Sequence, residues 1–494
     1  MNHTYSLSKH IISCPVIAVF ADHTGVHPFL SRLSARDRAY GSAALNRFKA
    51  GWLECEKLTF PSGTASHALL VGLGEKKQWN RRRFCLAARK IVQQIKNIKQ
   101  KACAVLLDDL SLPGTPLSEC AEIFAQNAEM AQYAYRAYLK KPKEGWGDVE
   151  QIQYATRGVA GGRVLQRALD LGAVIGQHIN EARELANTPG GDMTPTVLAR
   201  YARQQGRKYG IRVTVLGEAQ MKKLGMGAIL GVSRGSSEEA KLIVLEYHGA
   251  SSKKKPIVFV GKGITFDSGG LNLKPTGALE EMHMDMSGGA AVISSLVALA
   301  RMKARAHVIG IIPAVENMPS GSSYRPGDIL RAMSGTTIEI TNTDAEGRVV
   351  LADALTYAKK FSPSLVVDIA TLTGACAVAL GPHAAGVFSR DEDLVGRLCQ
   401  YGEQSGDYLW PLPLWEEYEE ELKGTVADIR NAKKTRDGGA TNGALFLHAF
   451  AKDFPAWAHI DIAPTMTTIP SQGLSGGSRG AGTALLIRIA RQEK

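Results

Sequence analysis

The sequence predicts an α/β fold: a small N-terminal α/β domain, a connector helix, and a larger C-terminal α/β domain with a mostly parallel central sheet covered by helices. Three observations lead there. The chain has 494 residues, more than one ordinary domain accommodates. Its candidate strands are near-continuous apolar runs, the pattern of strands buried on both faces. Those runs alternate with amphipathic helical stretches, as in crossover-connected parallel sheets. A hydrophobic content of 45% and a charged content of 21% are enough for a substantial core.

In chain order, Ile11 to Phe20 reads as a first strand. A signal-peptide reading is weaker, because only Lys9 and His10 precede the run, Pro15 interrupts it and no small-residue cleavage pattern follows. Ala68 to Gly74 and Ala102 to Leu107 read as strands flanking a basic helix, which makes a strand–helix–strand unit. Lys140 to Gly145 is a boundary loop. A helix from about Val164 to Leu185 stops before the breaker Asn187-Thr188-Pro189-Gly190-Gly191. The expected division is therefore 1–160 for the N-terminal domain, 161–189 for the connector helix and 190–494 for the larger domain. In the last, strands are expected at Leu242–Leu245, Ile257–Val260, Val308–Ile312, Leu365–Ile369 and His459–Ile462, alternating with helices at 288–302, 349–361 and 443–451.

Composition excludes several classes. No run approaches the roughly 18 consecutive apolar residues of a membrane span, so no membrane partner is expected. Seven cysteines without a C-x-x-C pair do not form a disulfide framework and fit a reducing cytoplasm. The formal charge of +12 is concentrated between Glu75 and Lys101, where ten basic residues face one acidic residue. Such a segment is either a nucleic-acid footprint or a solvated helix face, and the second reading is favoured. Phe84, Leu86, Ala87, Ile91, Val92, Ile95 and Ile98 give that helix a buried side in both cases.

The chemistry lies in two clusters. One is Asn342-Thr343-Asp344-Ala345-Glu346-Gly347-Arg348, between a β-rich run and a helical run. The other follows the strand ending near Val260 and contains Lys262, Asp267 and Lys274, with Asp285 eleven residues further on. Asp267, Asp285, Asp344 and Glu346 each fall where a strand hands over to a loop or helix, and ligands of parallel sheets bind at such ends. Four carboxylates brought together repel unless cations neutralise them. Oxygen ligands with a nitrogen from Lys262 suit zinc, manganese, magnesium or cobalt, and the number of acids suggests two ions. Each piece alone has an ordinary reading: Asp285 as a helix N-cap, Gly261-Lys262-Gly263 as half a dinucleotide fingerprint, the methionines around Asp285 as core filler. A two-metal phosphatase or nuclease would carry similar clusters.

The heptapeptide from Asn342 and the block from Val260 to Gly270 resemble the signatures of the leucyl (cytosol) aminopeptidases, a family of two-metal exopeptidases. The resemblance covers the C-terminal half in order and spacing. It implies that Asp267 and Glu346 bridge two divalent ions (manganese or zinc, with magnesium or cobalt as alternatives), that Asp344 completes the first site, and that Lys262 and Asp285 complete the second. Lys262 would then be a neutral amine, hence of depressed pKa. The same resemblance implies that Lys274 stays protonated and polarises the scissile carbonyl, while Arg348 holds a bicarbonate that acts as base. It places Met282, Thr371 and Gly374 in an apolar pocket for leucine-like N-terminal residues of peptides, and it implies a cytoplasmic homohexamer. Some relatives also bind DNA, for which residues 76–101 would serve here. Departures fall in the Asn187–Pro195 loop, at Val349 and in the Gly/Ser-rich Ile469–Arg479 stretch, away from every expected ligand.

Overall fold

A computed structural model describes the chain except for residues 6–13, 24–26, 63–66, 159–160, 250–253, 434, 436 and 494. The first part of the expected Ile11–Phe20 strand, Ile11 to Ser13, lies outside the described residues. The chain forms two compact units, Met1–Gln177 with Ile469–Gly476, and His178–Thr468 with Gly477–Lys494.

The N-terminal unit contains strands β1 (Asn2–Tyr5), β2 (Pro15–Val19), β3 (Cys55–Thr59), β4 (His67–Gly72), β5 (Ala102–Leu106) and β6 (Gln151–Ala155). They form one sheet in the order β1-β6-β5-β2-β4-β3, in which only the β3–β4 pair is antiparallel. Helices α1 (Ala35–Arg47), α2 (Arg81–Asn97) and α3 (Leu117–Gln132) accompany it. Ser34 and Asn80 cap α1 and α2 by accepting backbone N–H groups of Asp37 and Arg83. Most of the apolar stripe expected on the basic helix is buried: Phe84, Ala87, Ile91, Val92 and Ile95 are at most 1% exposed, while Leu86 and Ile98 are only partly buried. Helix α4 (Gly162–Asn187) occupies the expected connector region, and the division between the units falls inside it, after Gln177. Ile469–Gly476 belongs with the N-terminal unit, where Arg89 donates to the Gln472 carbonyl at 3.0 Å and Ser475 to the Tyr133 carbonyl at 2.8 Å.

The second unit contains β7 (Arg212–Leu216), β8 (Lys241–His248), β9 (Ile257–Gly261), β10 (Gly263–Asp267), β11 (His307–Asn317), β14 (Leu365–Ala370), β15 (Ala385–Phe388), β16 (Leu409–Pro411) and β18 (Trp457–Asp461). These make a nine-stranded sheet in the order β16-β15-β18-β14-β9-β11-β8-β7, with β10 added beside β11. The central pairs β18–β14, β14–β9, β9–β11 and β10–β11 are parallel, and antiparallel pairs lie toward the edges. A separate sheet joins β12 (Ile329–Arg331), β13 (Thr337–Glu339) and β17 (Ile429–Arg430). Helices α5 (Pro195–Tyr209), α6 (Glu218–Lys223), α7 (Gly227–Ser233), α8 (Ser287–Arg301), α9 (Glu346–Ala358), α10 (Gly374–Leu380), α11 (Glu392–Ser405), α12 (Gly439–Ala451) and α13 (Thr483–Gln492) complete the unit.

The sheet's position beneath α8 explains that helix's composition. Every residue from Ser287 to Leu299 is buried, and each large aliphatic side chain removed from water contributes roughly 1.5–3 kcal/mol. Met282–Arg301 is long and apolar enough to cross a membrane by length and composition, but 89% of that stretch is buried inside the unit. The close packing has a steric requirement. A Cβ on Gly288 would lie 2.2 Å from the Ile369 carbonyl oxygen, so a larger residue there would push α8 away from β14.

Candidate metal centre

The strand ends assemble the site. Lys262 follows β9, Asp267 is the last residue of β10, and Thr371 follows β14. Asp285 lies in the short 3-10 helix Met282–Met286 that leads into α8, and Glu346 opens α9 with Arg348 in the same first turn. Asp267 is expected where a strand hands over to a loop, and it ends a short strand not expected from the sequence, in register with Asn317 of β11. Asp285 is not an N-cap either: its carboxylate accepts the Thr371 hydroxyl at 2.7 Å, and α8 starts without a side-chain cap.

Asp267, Asp344 and Glu346 each offer a carboxylate oxygen within 4.8 Å of the others. Two lysines flank them. Lys262 Nζ lies 2.8 Å from both Asp285 Oδ2 and Glu346 Oε1, and Lys274 Nζ lies 2.8 Å from Asp267 Oδ2 and 2.6 Å from Asp344 Oδ1. Proximity does not make aligned hydrogen bonds: Asp285 Oδ2, Asp344 Oδ1 and both oxygens of Glu346 are buried without a hydrogen-bond partner. Three of these oxygens, Asp285 Oδ2, Asp344 Oδ1 and Glu346 Oε1, meet only a lysine ammonium, and Glu346 Oε2 has no hydrogen-bond partner, an unusual concentration of under-satisfied buried oxygens. Four carboxylates against two ammonium groups also leave two negative charges to be offset. The donor set therefore fits divalent cations with oxygen ligands.

The charges interact strongly. Burial, with Asp267 and Asp285 adding, pushes the Glu346 carboxyl well above its usual range, and Lys262 and Lys274 only partly oppose this. Burial likewise raises Asp285 and Asp344. For Lys262 burial opposes the charge, but Asp285, Glu346 and Asp267 outweigh it and hold the ammonium above the usual lysine value. The neutral amine expected from the sequence is thus not what the carboxylates alone favour, since it requires cations that compensate them. Lys274, more open than Lys262, is also held above its usual value by Asp267, Glu346 and Asp344 against burial. Arg348 is buried, which lowers its guanidinium to about 10, and its Nε has no partner.

The expected pocket residues lie nearby in part. Thr371 is tied to Asp285, and its carbonyl accepts from Lys262 Nζ at 3.1 Å. Met282 precedes Asp285 by three residues and is half-buried. Gly374 opens α10 with free space where a Cβ would be.

Several residues that the sequence reading passed over hold these groups in place. Asn317 donates to Asp267 Oδ1 at 2.8 Å and to the Thr343 carbonyl at 3.0 Å, and Tyr324 donates to that same carbonyl at 2.8 Å. Thr343 donates to the Gly269 carbonyl at 2.7 Å and accepts from the Asn272 N–H at 2.8 Å, joining the two clusters. Asn431, fully buried, accepts from the Thr341 N–H and donates to the Asn342 carbonyl, while its own carbonyl accepts from Arg348 Nη1 at 2.9 Å. Asp461 accepts from the Leu372 N–H and the Thr373 hydroxyl, fixing the loop after β14. Gly347 leaves room for Lys262, whose Cε would lie 2.6 Å from a Cβ at that position. The only local signal for these roles is their position beside strand ends.

The basic segment, for which a nucleic-acid footprint is the less favoured reading, is largely engaged within its own unit. Lys77, Arg81, Lys96 and Lys101 pair with Glu75, Glu119, Asp148 and Glu150. Arg83 sits over the Trp52 ring, and Arg89 donates to Asn127.

Comparison with known proteins agrees with this geometry. The cytosol aminopeptidase family, catalytic domain, matches residues 180–487, and the N-terminal domain of the same family matches residues 43–142. A probable cytosol aminopeptidase of Syntrophotalea carbinolica is 40% identical over 492 residues, covering 97% of each chain. One from Saccharophagus degradans is 43% identical over 439 residues, covering 86% of each. Among solved structures, the bottromycin maturation enzyme BotP in complex with Mn superposes with a TM-score of 0.85 at 31% identity, covering 97% of this chain and 99% of that one. The chain belongs to the cytosol aminopeptidase family and is a metal-dependent aminopeptidase, a hydrolase of peptides.

Proposed function

We propose that the enzyme releases leucine-like N-terminal residues from peptides at a two-metal centre held by Lys262, Asp267, Asp285, Asp344 and Glu346. The observation that carries this reading is the nest of buried carboxylate oxygens on Asp285, Asp344 and Glu346, which two lysine ammonium groups only partly offset. Asp267 and Glu346, central to the cluster, would bridge two ions, Asp344 would complete one site, and Lys262 with Asp285 the other. Divalent cations bound there, manganese or zinc foremost, would supply Lewis-acid activation of water and of the scissile carbonyl.

The side chains supply the remaining functions. Asp285 attracts the free α-amine of the substrate, which restricts cleavage to the N-terminal bond. Lys274, held as an ammonium on the more open side, donates to the oxygen of the scissile carbonyl as negative charge develops there, a contribution often worth about 3 kcal/mol per donor. Arg348, in the first turn of α9 with an unpaired Nε, would hold bicarbonate, a proton acceptor placed where the helix N-terminus also favours an anion. Met282, Thr371 and Gly374 would line the pocket for the departing residue's side chain, and the open space over Gly374 admits a branched aliphatic group.

A cytoplasmic homohexamer accompanies this reading through the family resemblance, and the seven free cysteines fit a reducing compartment. DNA binding through residues 76–101 is not favoured, because so many of those cations already have partners. The reading is tested by assaying a panel of dipeptides and amino-acid p-nitroanilides together with metal analysis of the purified protein. It requires about two divalent ions per chain and a preference for leucine-like residues, and a phosphate ester hydrolysed in place of peptides would overturn it.

A further inference from the structure

The two acids at the middle of the metal centre are prepared in different ways. Asp267 Oδ1 accepts the Gly269 N–H at 2.9 Å and the Asn317 side-chain amide at 2.8 Å. A carboxylate oxygen has two lone pairs, so this one is fully engaged by the protein. Asp267 Oδ2 faces the Lys274 ammonium at 2.8 Å. Neither oxygen of Glu346 has a hydrogen-bond partner, and Oε1 meets the Lys262 ammonium at 2.8 Å.

Asn317 makes the difference. It is the last residue of β11, in register with Asp267 of β10, and its carbonyl accepts both the backbone N–H and the hydroxyl of Ser268, at 3.0 and 2.6 Å. Its backbone is thereby pinned beside Asp267. The side chain is fully buried, and its single amide nitrogen uses both hydrogens, one on Asp267 Oδ1 and the other on the Thr343 carbonyl at 3.0 Å. An ionised carboxylate and a carbonyl only accept, so the amide cannot turn its oxygen toward them. The Thr343 carbonyl belongs to the peptide that leads into Asp344. One nitrogen therefore ties an acid of the first cluster to the backbone of the second, across 50 positions of sequence on one side and 26 on the other. Gly270 leaves room for this amide, since a Cβ there would lie 2.8 Å from Asn317 Oδ1.

We propose that Asn317 is a positioning residue of the metal centre. By saturating Oδ1 it leaves Asp267 to meet cations through Oδ2 alone, while Glu346 keeps both oxygens for them. By holding the Thr343 carbonyl as well, it fixes the spacing between Asp267 and Asp344. An Asp267 free to rotate could turn both oxygens onto a single ion and withdraw from the other, and the amide prevents that. Groups that orient a ligand in this way typically change metal affinity by about 10–100-fold when removed. The inference rests on the two-metal reading above.

The test is titration of the chelator-treated full-length protein with Mn²⁺, read by calorimetry and by electron paramagnetic resonance. The parent should take up about two ions per chain, spin-coupled through their shared ligands, so that the hyperfine signal of isolated Mn²⁺ is quenched. Asn317→Ala should weaken the second ion by about 10–100-fold and restore the isolated-ion signal. Asn317→Leu, which keeps the bulk and lacks the donor, should do the same, and it carries the test if the alanine variant does not fold. Tyr324→Phe removes the other donor to the Thr343 carbonyl, which Asn317 still holds, and should keep the parent's affinity and coupled signal. A lower melting temperature in chelator with both metal readouts unaltered in the Asn317 variants would make the residue merely structural and overturn the proposal. An equal loss in Tyr324→Phe and Asn317→Ala would also overturn it, because the effect would then lie in the Thr343 loop and not in the Asp267 oxygen. A parent that binds a single ion would overturn the two-metal reading itself, and this inference with it.

Discussion

Glu129 in the N-terminal unit and Glu346 in the catalytic unit are both buried carboxylates, 5% and 1% exposed, yet their surroundings are opposite. Glu129 Oε1 accepts from His3 and from Gln177, each at 3.1 Å, within its own unit. Burial pushes its pKa up, but those hydrogen bonds and the charges of His3 and the N-terminal amine outweigh it and hold the carboxyl below its ordinary value. Glu346 has two buried oxygens without a hydrogen bond and a pKa pushed the other way. Both units are α/β structures built on largely parallel sheets, so fold type does not separate them. What separates them is whether a buried charge is satisfied by the protein or left open for something else. A satisfied carboxylate serves structure, whereas one held bare reduces stability until a cation binds.

The strongest way to break this comparison is to remove the bare oxygens. Asp344→Ala and Glu346→Ala should each lower kcat/KM on a leucine p-nitroanilide by on the order of 10³-fold, with no fall in melting temperature measured in chelator. Retention of peptidase activity in either variant would show that the nest is not the reactive centre. The converse change lies in the other unit. Glu129→Ala should lower unfolding free energy by about 3 kcal/mol, because it leaves His3 and Gln177 without their acceptor. Its specific activity at a temperature where it stays folded should equal the parent's, and a loss there would erase the contrast.

Ligand linkage sharpens the comparison further. Adding Mn²⁺ at a hundredfold excess over its dissociation constant should stabilise the parent by about 2.7 kcal/mol, read as a rise in melting temperature. The same addition should leave Asp344→Ala much less stabilised. The support around the nest should matter less than the ligands themselves. Asn431→Ala removes the clip on Asn342 and loosens the carbonyl that receives Arg348, and we expect a loss of about 10–100-fold in kcat with a smaller change in KM. An equal loss in both parameters would indicate general disorder of the loop.

The smallest effects are those of pH on stability, and the two carboxylates should act with opposite sign. Glu129 titrates lower in the folded protein than unfolded, so its contribution is present above the ordinary glutamate value and is lost as pH falls through the folded one. Glu346 titrates higher when folded, so in chelator-treated protein stability should decline as pH rises from about 4.5 toward its raised pKa. Urea midpoints across this range should show Glu346→Gln flattening the neutral side and Glu129→Gln flattening the acid side. A common slope for both variants would contradict the contrast.

Most of the catalytic sheet was legible because its strands are long apolar runs, and Leu365–Ala370 and Ile257–Gly261 appear close to where the pattern put them. The strand Gly263–Asp267 was missed because only one residue, Lys262, lies between it and the end of β9 and it pairs with a distant strand, β11. The two acid clusters were legible as chemistry, since carboxylates at strand ends have little use in a core. The clips were not. Asn431 reaches Thr341 across 90 positions and Thr343 reaches Asn272 across 71, so nothing local marks either as a partner. The basic run from Lys76 to Lys101 was legible as charge, but its pairing with Glu119, Asp148 and Glu150 depends on neighbours brought in by folding.

By itself the sequence determined the alternation of strand and helix and which acids and bases stand at strand ends. These follow from local periodicity and side-chain chemistry. Only the tertiary structure decided which of those charges remain unsatisfied. Hydrogen-bond partners come from segments far apart in the chain, and a carboxylate's state depends on whether such a partner arrives. Glu129 is held by His3 and Gln177, while Glu346 meets only the Lys262 ammonium that it shares with Asp285, and that difference separates a structural acid from the metal-binding one proposed here.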